Sequence, residues 1–247
     1  MLFTILRGDE DLMTKITELV FYIIVIVVSF SFHEFAHAFT AHLMGDDTAR
    51  NMGRMTLNPL AHIDPIGFVV LLVAGFGWAK PVPVNSRNYR NYRKGEFLVS
   101  FAGIFTNLII MLVSALILAF LAVCELKARG FAVTHESIAF LVFRVVPEAV
   151  PQQLFTLFYF FCFINAGLAV FNLIPIFPLD GSHIFDLLFG KLLGPKVIMW
   201  MHRYGAFILM GLILVSNFSG FSPLGIVIQF IAKGVIKLFA LILGAIF

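Results

Sequence analysis

The chain reads as an all-α polytopic membrane protein, on three observations. Hydrophobic residues make up 60% of its 247 positions and charged residues only 13%, with a mean hydropathy of +0.98; soluble domains sit near about half apolar and a quarter charged. Several apolar runs reach the roughly 20 residues that a bilayer crossing takes. Prolines, glycines and basic residues gather between those runs, as they do in connections outside the hydrocarbon. The net charge of +3 is too small and dispersed for a nucleic-acid surface, and basic residues beside membrane helices set orientation instead. One membrane-embedded unit over residues 1–247 is expected, with three core spans inside about 16–185 and further helices over about 186–247.

Taken in order, residues 1–15 form a short lead with Asp9, Glu10 and Asp11 and no small-residue cleavage site, so the first helix is expected to be retained. The first span runs from about Ile16 to Met44, carries Phe21 to Val28 as its most apolar stretch, and ends at Gly45. Asn58-Pro59 and Asp64-Pro65 break the polar stretch that follows. Residues 66–79 are apolar but short and interrupted by Gly75, Gly77 and Pro81, so they are expected to dip into the membrane and return. Residues 77–85 suit a short β-hairpin or edge strand. Arg87, Arg90, Arg93 and Lys94 must face water. A long span is expected from about Phe97 to Cys124, a mixed loop to Pro151, and a third span from about Gln153 to Ile174 that ends in Pro175-Ile176-Phe177-Pro178-Leu179-Asp180-Gly181. An amphipathic piece (184–193) leads to a span from about Val197 to Val215. In 222–247, Lys233 and Lys237 fall at helical spacing, so this helix either lies in the interface or shields a polar stripe against its neighbours. Cys124 and Cys162 read as small core residues.

The first span carries His33-Glu34-Phe35-Ala36-His37. Residues four apart share a helix face, so both imidazoles can hold one metal ion, with Glu34 beside it as general base. Ionisable groups in such a helix are costly and rarely idle. Two histidines are too few, since a catalytic zinc site takes three protein ligands and leaves one position open. His42, His62, Asp64, Asp180, His183 and Asp186 are the candidates for the third. Asp180 follows a span that stops at two prolines and a glycine, a break tolerated at membrane depth only where it lines a cavity. For Asp180 to reach the histidines, spans one and three must end on the same side, which requires that 97–124 is the one full crossing between them and that 66–79 returns. Lys and Arg agree: seven lie in 45–96 and three in 125–150, which places the metal side in the cytoplasm.

His33-Glu34-Phe35-Ala36-His37 and Asn172-Leu173-Ile174-Pro175-Ile176-Phe177-Pro178-Leu179-Asp180-Gly181 together resemble the H-E-x-x-H and N-x-x-P-x-x-P-L-D-G patterns of the site-2 protease family of intramembrane zinc metalloproteases. Gly53 to Pro59 and Gly77 to Asn85 support the resemblance, which spans roughly residues 30 to 185. It implies that His33, His37 and Asp180 hold one zinc ion, that Glu34 activates its water, and that the substrates are transmembrane proteins or peptides cut within or near the bilayer. The family's Gly-Pro-x-x-Asn is Gly103-Ile104-Phe105-Thr106-Asn107 here, without the proline that would kink the helix. Neither the 125–150 loop nor the C-terminus has room for a PDZ or CBS domain, so a minimal member is expected.

A substrate helix must be unwound and held extended before it can be cut. Pro81 and Pro83 lack N–H groups on one edge of an extended segment, which leaves the other edge to pair with a peptide; an edge blocked against aggregation is the plainer reading. Trp78, Lys80, Val82 and Val84 are the candidate substrate contacts there. Asn107 and Asn172 join them as candidates on the core helices, against a background of interhelical hydrogen bonding. Arg54 defaults to a solvated or lipid-facing role. The absence of an organelle-targeting signal points to a bacterial cytoplasmic membrane. Two rivals remain: a non-proteolytic binder or chaperone of the same fold, and a metal transporter.

Overall fold

The computed structural model describes residues 11–74, 77–144, 150–219 and 222–246. Its helices are α1 (Leu12–Met44), α2 (Thr48–Asn51), α3 (Pro65–Ala74), α4 (Tyr92–Ala128), α5 (His135–Arg144), α6 (Gln152–Asn172), α7 (Asp180–Leu193), α8 (Pro195–Ser219) and α9 (Pro223–Ile246). Among the described residues, five of these, α1, α4, α6, α8 and α9, are long and apolar enough to cross a membrane. The chain is an all-α polytopic membrane protein, as its sequence predicts.

Both boundaries of α1 have a local cause. The Asp11 carboxylate accepts the N–H groups of Met13 and Thr14 at the start of α1. At its end Gly45 adopts φ +108°, the left-handed conformation that only glycine takes at little cost. At 33 residues α1 is about 50 Å long, well beyond the roughly 30 Å hydrocarbon core. α4 is unbroken over 37 residues, so Gly103 and Asn107 sit in continuous helix.

α4 is the central helix and packs against α1, α5, α6, α7 and α9. Its C-terminal half carries the main core, where Ala115, Ala119 and Ala122 are fully buried beside Cys162 and Ala166 of α6 and Ala232, Ile236 and Ala240 of α9. Small residues let helix backbones approach closely where lipid supplies no hydrophobic drive between them. Its N-terminal half faces α1 and α7, where the polar residues converge.

Two sequence expectations change. The 125–150 connection is not simply a loop, because α5 forms within it and packs on α4 and α9. The expected β-hairpin or edge strand over 77–85 reduces to one antiparallel bridge, Ile63 with Ala79, and no longer ladder forms among the described residues; two prolines at alternate positions withhold the N–H groups that a ladder would use. In α9, for which the sequence leaves two arrangements open, the buried stripe is Ala232, Ile236, Ala240 and Leu243, while Lys233 and Lys237 lie on the exposed side.

α3 holds ten residues, about 15 Å, half of what a crossing needs. The chain then doubles back: Ala79 bridges Ile63, the Lys80 N–H donates to His62 O at 2.8 Å, and a β-carbon on Gly67 would strike Trp78. Both ends of the segment therefore lie together, as a dip and return requires. Asp64 caps α3 by accepting the Gly67 N–H at 2.8 Å.

Asp46, fully buried just beyond α1, buckles the following connection to that helix. One oxygen accepts the Thr48 hydroxyl and the Asn88 amide at 2.5 and 2.8 Å, and the other accepts the Asn85 N–H at 2.7 Å. Burial acts to raise its pKa, but these bonds outweigh it and hold the carboxyl below the usual 3.8. A depressed carboxyl pKa contributes stability that is fully present above pH 4 or so and is lost as pH falls through the folded value. Asp46→Asn is expected to cost about 1–3 kcal/mol at neutral pH and to flatten the loss of stability below about pH 4. Thermal melts across pH 3–7 check both.

Candidate active site

His33, Glu34 and His37 are all buried on α1; the two histidines face α4, and Glu34 faces the returning segment at Val82. Asp180 is the first residue of α7, which begins straight after the Pro175–Pro178 break. Its position depends on Gly181, where a β-carbon would lie 2.5 Å from Leu173 O and 2.6 Å from Ile174 O, so the turn from α6 into α7 closes only around glycine.

The two imidazole Nε2 atoms lie 3.0 Å apart, and Asp180 Oδ2 is 3.3 Å from each. The three form the one His, Cys, Asp or Glu group among the described residues that is placed to hold a metal ion. Of the six candidates for the third position, the fold brings Asp180 to the histidines. His42 pairs with Asp47 at 2.6 Å, and His62 Nε2 donates to Thr56 O at 2.7 Å. Asp64 serves as the cap of α3, His183 Nδ1 meets Glu96 at 3.0 Å, and Asp186 meets His202 Nε2 at 2.6 Å.

The donor set fits a zinc ion. His37 Nδ1–H donates to Val99 O at 2.7 Å, which leaves the Nε2 lone pair free. The Asn107 side-chain amide lies 3.2 Å from His33 Nδ1. An imidazole that reserves Nε2 for a metal carries its proton on Nδ1, and the amide accepts that proton through oxygen after a half-turn about χ2. The same half-turn gives Asn107 Oδ1, buried without a partner, something to bond. Asp180 Oδ2 is likewise buried and aimed between two lone pairs, an arrangement of acceptors that a cation resolves. Ligands about 2.0 Å from a tetrahedral zinc stand roughly 3.3 Å from one another, close to the spacing here.

α4 closes the site by direct approach. A β-carbon on Gly103 would lie 2.5 Å from His33 Cε1 and from His37 Nε2. Glu34 Oε2 accepts the Val82 N–H at 2.7 Å, so the edge of the 81–83 segment that carries an N–H faces the carboxylate. Val82 is buried, whereas Trp78, Lys80 and Val84 are exposed. Asn107 sits against His33 rather than on an open surface. Asn172 is half-buried, and its amide donates to Leu168 O at 3.0 Å. Asn165 ties α6 to α1 through Ser29 Oγ at 2.9 Å.

The sequence reading missed three of these contacts. Arg54 is not merely solvated: its Nη2 donates to Lys80 O at 2.9 Å and Pro81 O at 3.3 Å. The Val99 carbonyl has no side-chain signature at all. The Val82–Glu34 bond corrects an expectation: the Pro-Val-Pro spacing leaves a single N–H over those three residues, expected to pair with a peptide, and the structure gives it to Glu34 instead.

Residues 21–212 match the family described as peptidase family M50. Among curated proteins, "Putative zinc metalloprotease YwhC" of Bacillus subtilis (strain 168) is 38% identical over 178 residues, covering 72% of this chain and 73% of that protein. "Putative zinc metalloprotease Rip2" of Mycolicibacterium smegmatis is 32% identical over 161 residues, covering 63% of this chain and 52% of that protein. No solved structure matches. With His33 and His37 of the apolar helix α1 and Asp180 of α7 placed where they could hold a metal ion, and a family match over most of its length, the chain belongs to peptidase family M50, the site-2 protease family, and is an integral-membrane zinc metalloprotease.

Proposed function

We propose that the protein hydrolyses peptide bonds within or near the transmembrane segments of membrane proteins, on the cytoplasmic side of a bacterial cytoplasmic membrane, with one zinc ion held by His33, His37 and Asp180 and with Glu34 as general base. The observation that carries this reading is the convergence of the three ligand atoms at 3.0–3.3 Å beside a buried glutamate. Bound there, zinc supplies Lewis-acid polarisation of the scissile carbonyl and makes water a competent nucleophile near neutral pH.

The chain's own groups do the rest. Val99 O and Asn107 fix the two rings, so the site is organised before substrate arrives. Glu34 holds the Val82 N–H on Oε2, which leaves Oε1 to take a proton from water and pass it to the leaving amine. Burial lowers the local dielectric and strengthens these contacts. Trp78, Lys80 and Val84, exposed on the returning segment, offer a surface for an extended substrate, with Val82 behind them and Asn172 at the end of α6. The larger number of basic residues in 45–96 supports the cytoplasmic orientation.

The test is a purified, lipid-reconstituted protein given a single-span substrate, with the products mapped by mass spectrometry. Cleavage inside or at the edge of the hydrophobic segment is expected. Glu34→Gln should keep its zinc and lose at least about a hundredfold in turnover. A Glu34→Gln protein that cleaves as well as the parent, or cuts confined to distant soluble loops, refutes the proposal.

A further inference from the structure

We propose that Arg54 is a positioning residue for the base and acts on Glu34 through the Pro81–Val82 peptide; the inference rests on the reading of Glu34 as the general base. That peptide is trans, so its C=O and N–H point in opposite directions. Arg54 Nη2 donates to the Pro81 oxygen at 3.3 Å, and at the other end the Val82 N–H donates to Glu34 Oε2 at 2.7 Å. A cation, one peptide dipole and an anion thus stand in series.

The local sequence removes the alternatives. Proline at 81 and at 83 leaves Val82 as the one N–H donor in the three-residue segment, so the segment cannot slip and still serve the carboxylate. Arg54 also holds Lys80 O at 2.9 Å through the same nitrogen. The flanks are pinned as well, by Lys80 N–H on His62 O at 2.8 Å and by Asn85 N–H on Asp46 at 2.7 Å. Hydrogen bonds in a chain polarise one another, and a guanidinium on the carbonyl makes the far N–H a better donor. The consequence is a carboxylate held by one oxygen, with the second directed to the proton it must take. A loose base at this position would still touch the site but would spend less time in the productive orientation.

The experiment uses the full-length protein in lipid nanodiscs, with Arg54→Gln, Arg54→Lys, Val82→Ala and Val82→Pro. Arg54→Gln is expected to lower kcat by about 10–100-fold, with KM changed by no more than about twofold and zinc content unchanged. Arg54→Lys, which restores the cation, should recover several-fold over Arg54→Gln. Val82→Ala keeps the N–H and should exceed Val82→Pro in kcat by about tenfold or more. A second readout needs no turnover: thermal melts of the metal-free single and double variants of Arg54→Gln and Glu34→Gln. A relay makes their shifts non-additive by about 2 °C or more. Where Val82→Pro fails to fold, Arg54→Gln and this cycle decide.

An Arg54→Gln protein with parental kcat, or strictly additive melting shifts, overturns the relay. So does a loss in which KM rises while zinc content and melting temperature fall, since that is what a plain loop brace would give. If the parent protein cleaves no membrane substrate, the protease proposal fails on its own and the melting cycle still judges the relay.

Discussion

Gly103→Ala is expected to empty the proposed metal centre. The new methyl would stand 2.5 Å from His33 Cε1, 2.5 Å from His37 Nε2 and 2.7 Å from His33 Nδ1, all far inside van der Waals contact. A flexible surface side chain would swing away from such a clash. These rings have nowhere to go, because Val99 O pins one and Asn107 faces the other. Either the rings rotate off the shared point or α4 retreats from α1, and both outcomes break the 3.0 Å approach of the two Nε2 atoms. Zinc affinity is expected to fall by about a hundredfold, at the upper end of what losing an outer-shell partner costs, with activity falling at least as far. Inductively coupled plasma analysis of purified protein, beside a far-UV helix signal that stays intact, checks this. A Gly103→Ala protein with full zinc content would mean that the histidines do not meet where the structure places them.

Asp180→Ala is expected to be as severe for a different reason. It removes one of the three proposed protein ligands and leaves two histidines that cannot by themselves make a catalytic zinc site. The fold should survive, because Asp180 Oδ2 makes no hydrogen bond that holds α7 in place; the α6–α7 turn is closed by Gly181 and by Ser182 Oγ donating to Leu179 O at 2.7 Å. The expected result is a helical protein with a near-normal melting temperature in the metal-free form, zinc affinity reduced by more than about a hundredfold, and no measurable hydrolysis. Retained zinc and retained cleavage in Asp180→Ala would transfer the third position to another residue.

Much of this architecture was legible before any coordinates, because membrane spans are written in composition and length. The His33 and His37 pairing follows from helical periodicity, whereas Asp180 is one of six candidates until the family resemblance singles it out. Counting crossings only requires its helix end to emerge on the histidines' side, which α3 at ten residues, too short to span, allows. What stayed hidden depends on contacts between distant backbones. Gly103 carries no side chain to advertise its role, and Val99 acts through a carbonyl that any residue would supply. Asn107 was read toward substrate because nothing local says that its amide meets His33 across 74 positions. Arg54 looked like one more basic residue in a charged connection, and its partners are main-chain oxygens 26 and 27 residues away. The strand expected over 77–85 shrank to one bridge because alternate prolines that suggest an edge also withhold the bonds that would lengthen it.

The most direct measurement is X-ray absorption at the zinc edge on the purified parent protein, read together with metal stoichiometry. One zinc per chain, with two imidazole nitrogens and carboxylate oxygen at about 2.0 Å and no sulfur, is the predicted result. A sulfur ligand from Cys124 or Cys162, or a stoichiometry near zero in protein that still cleaves its substrate, would contradict the site.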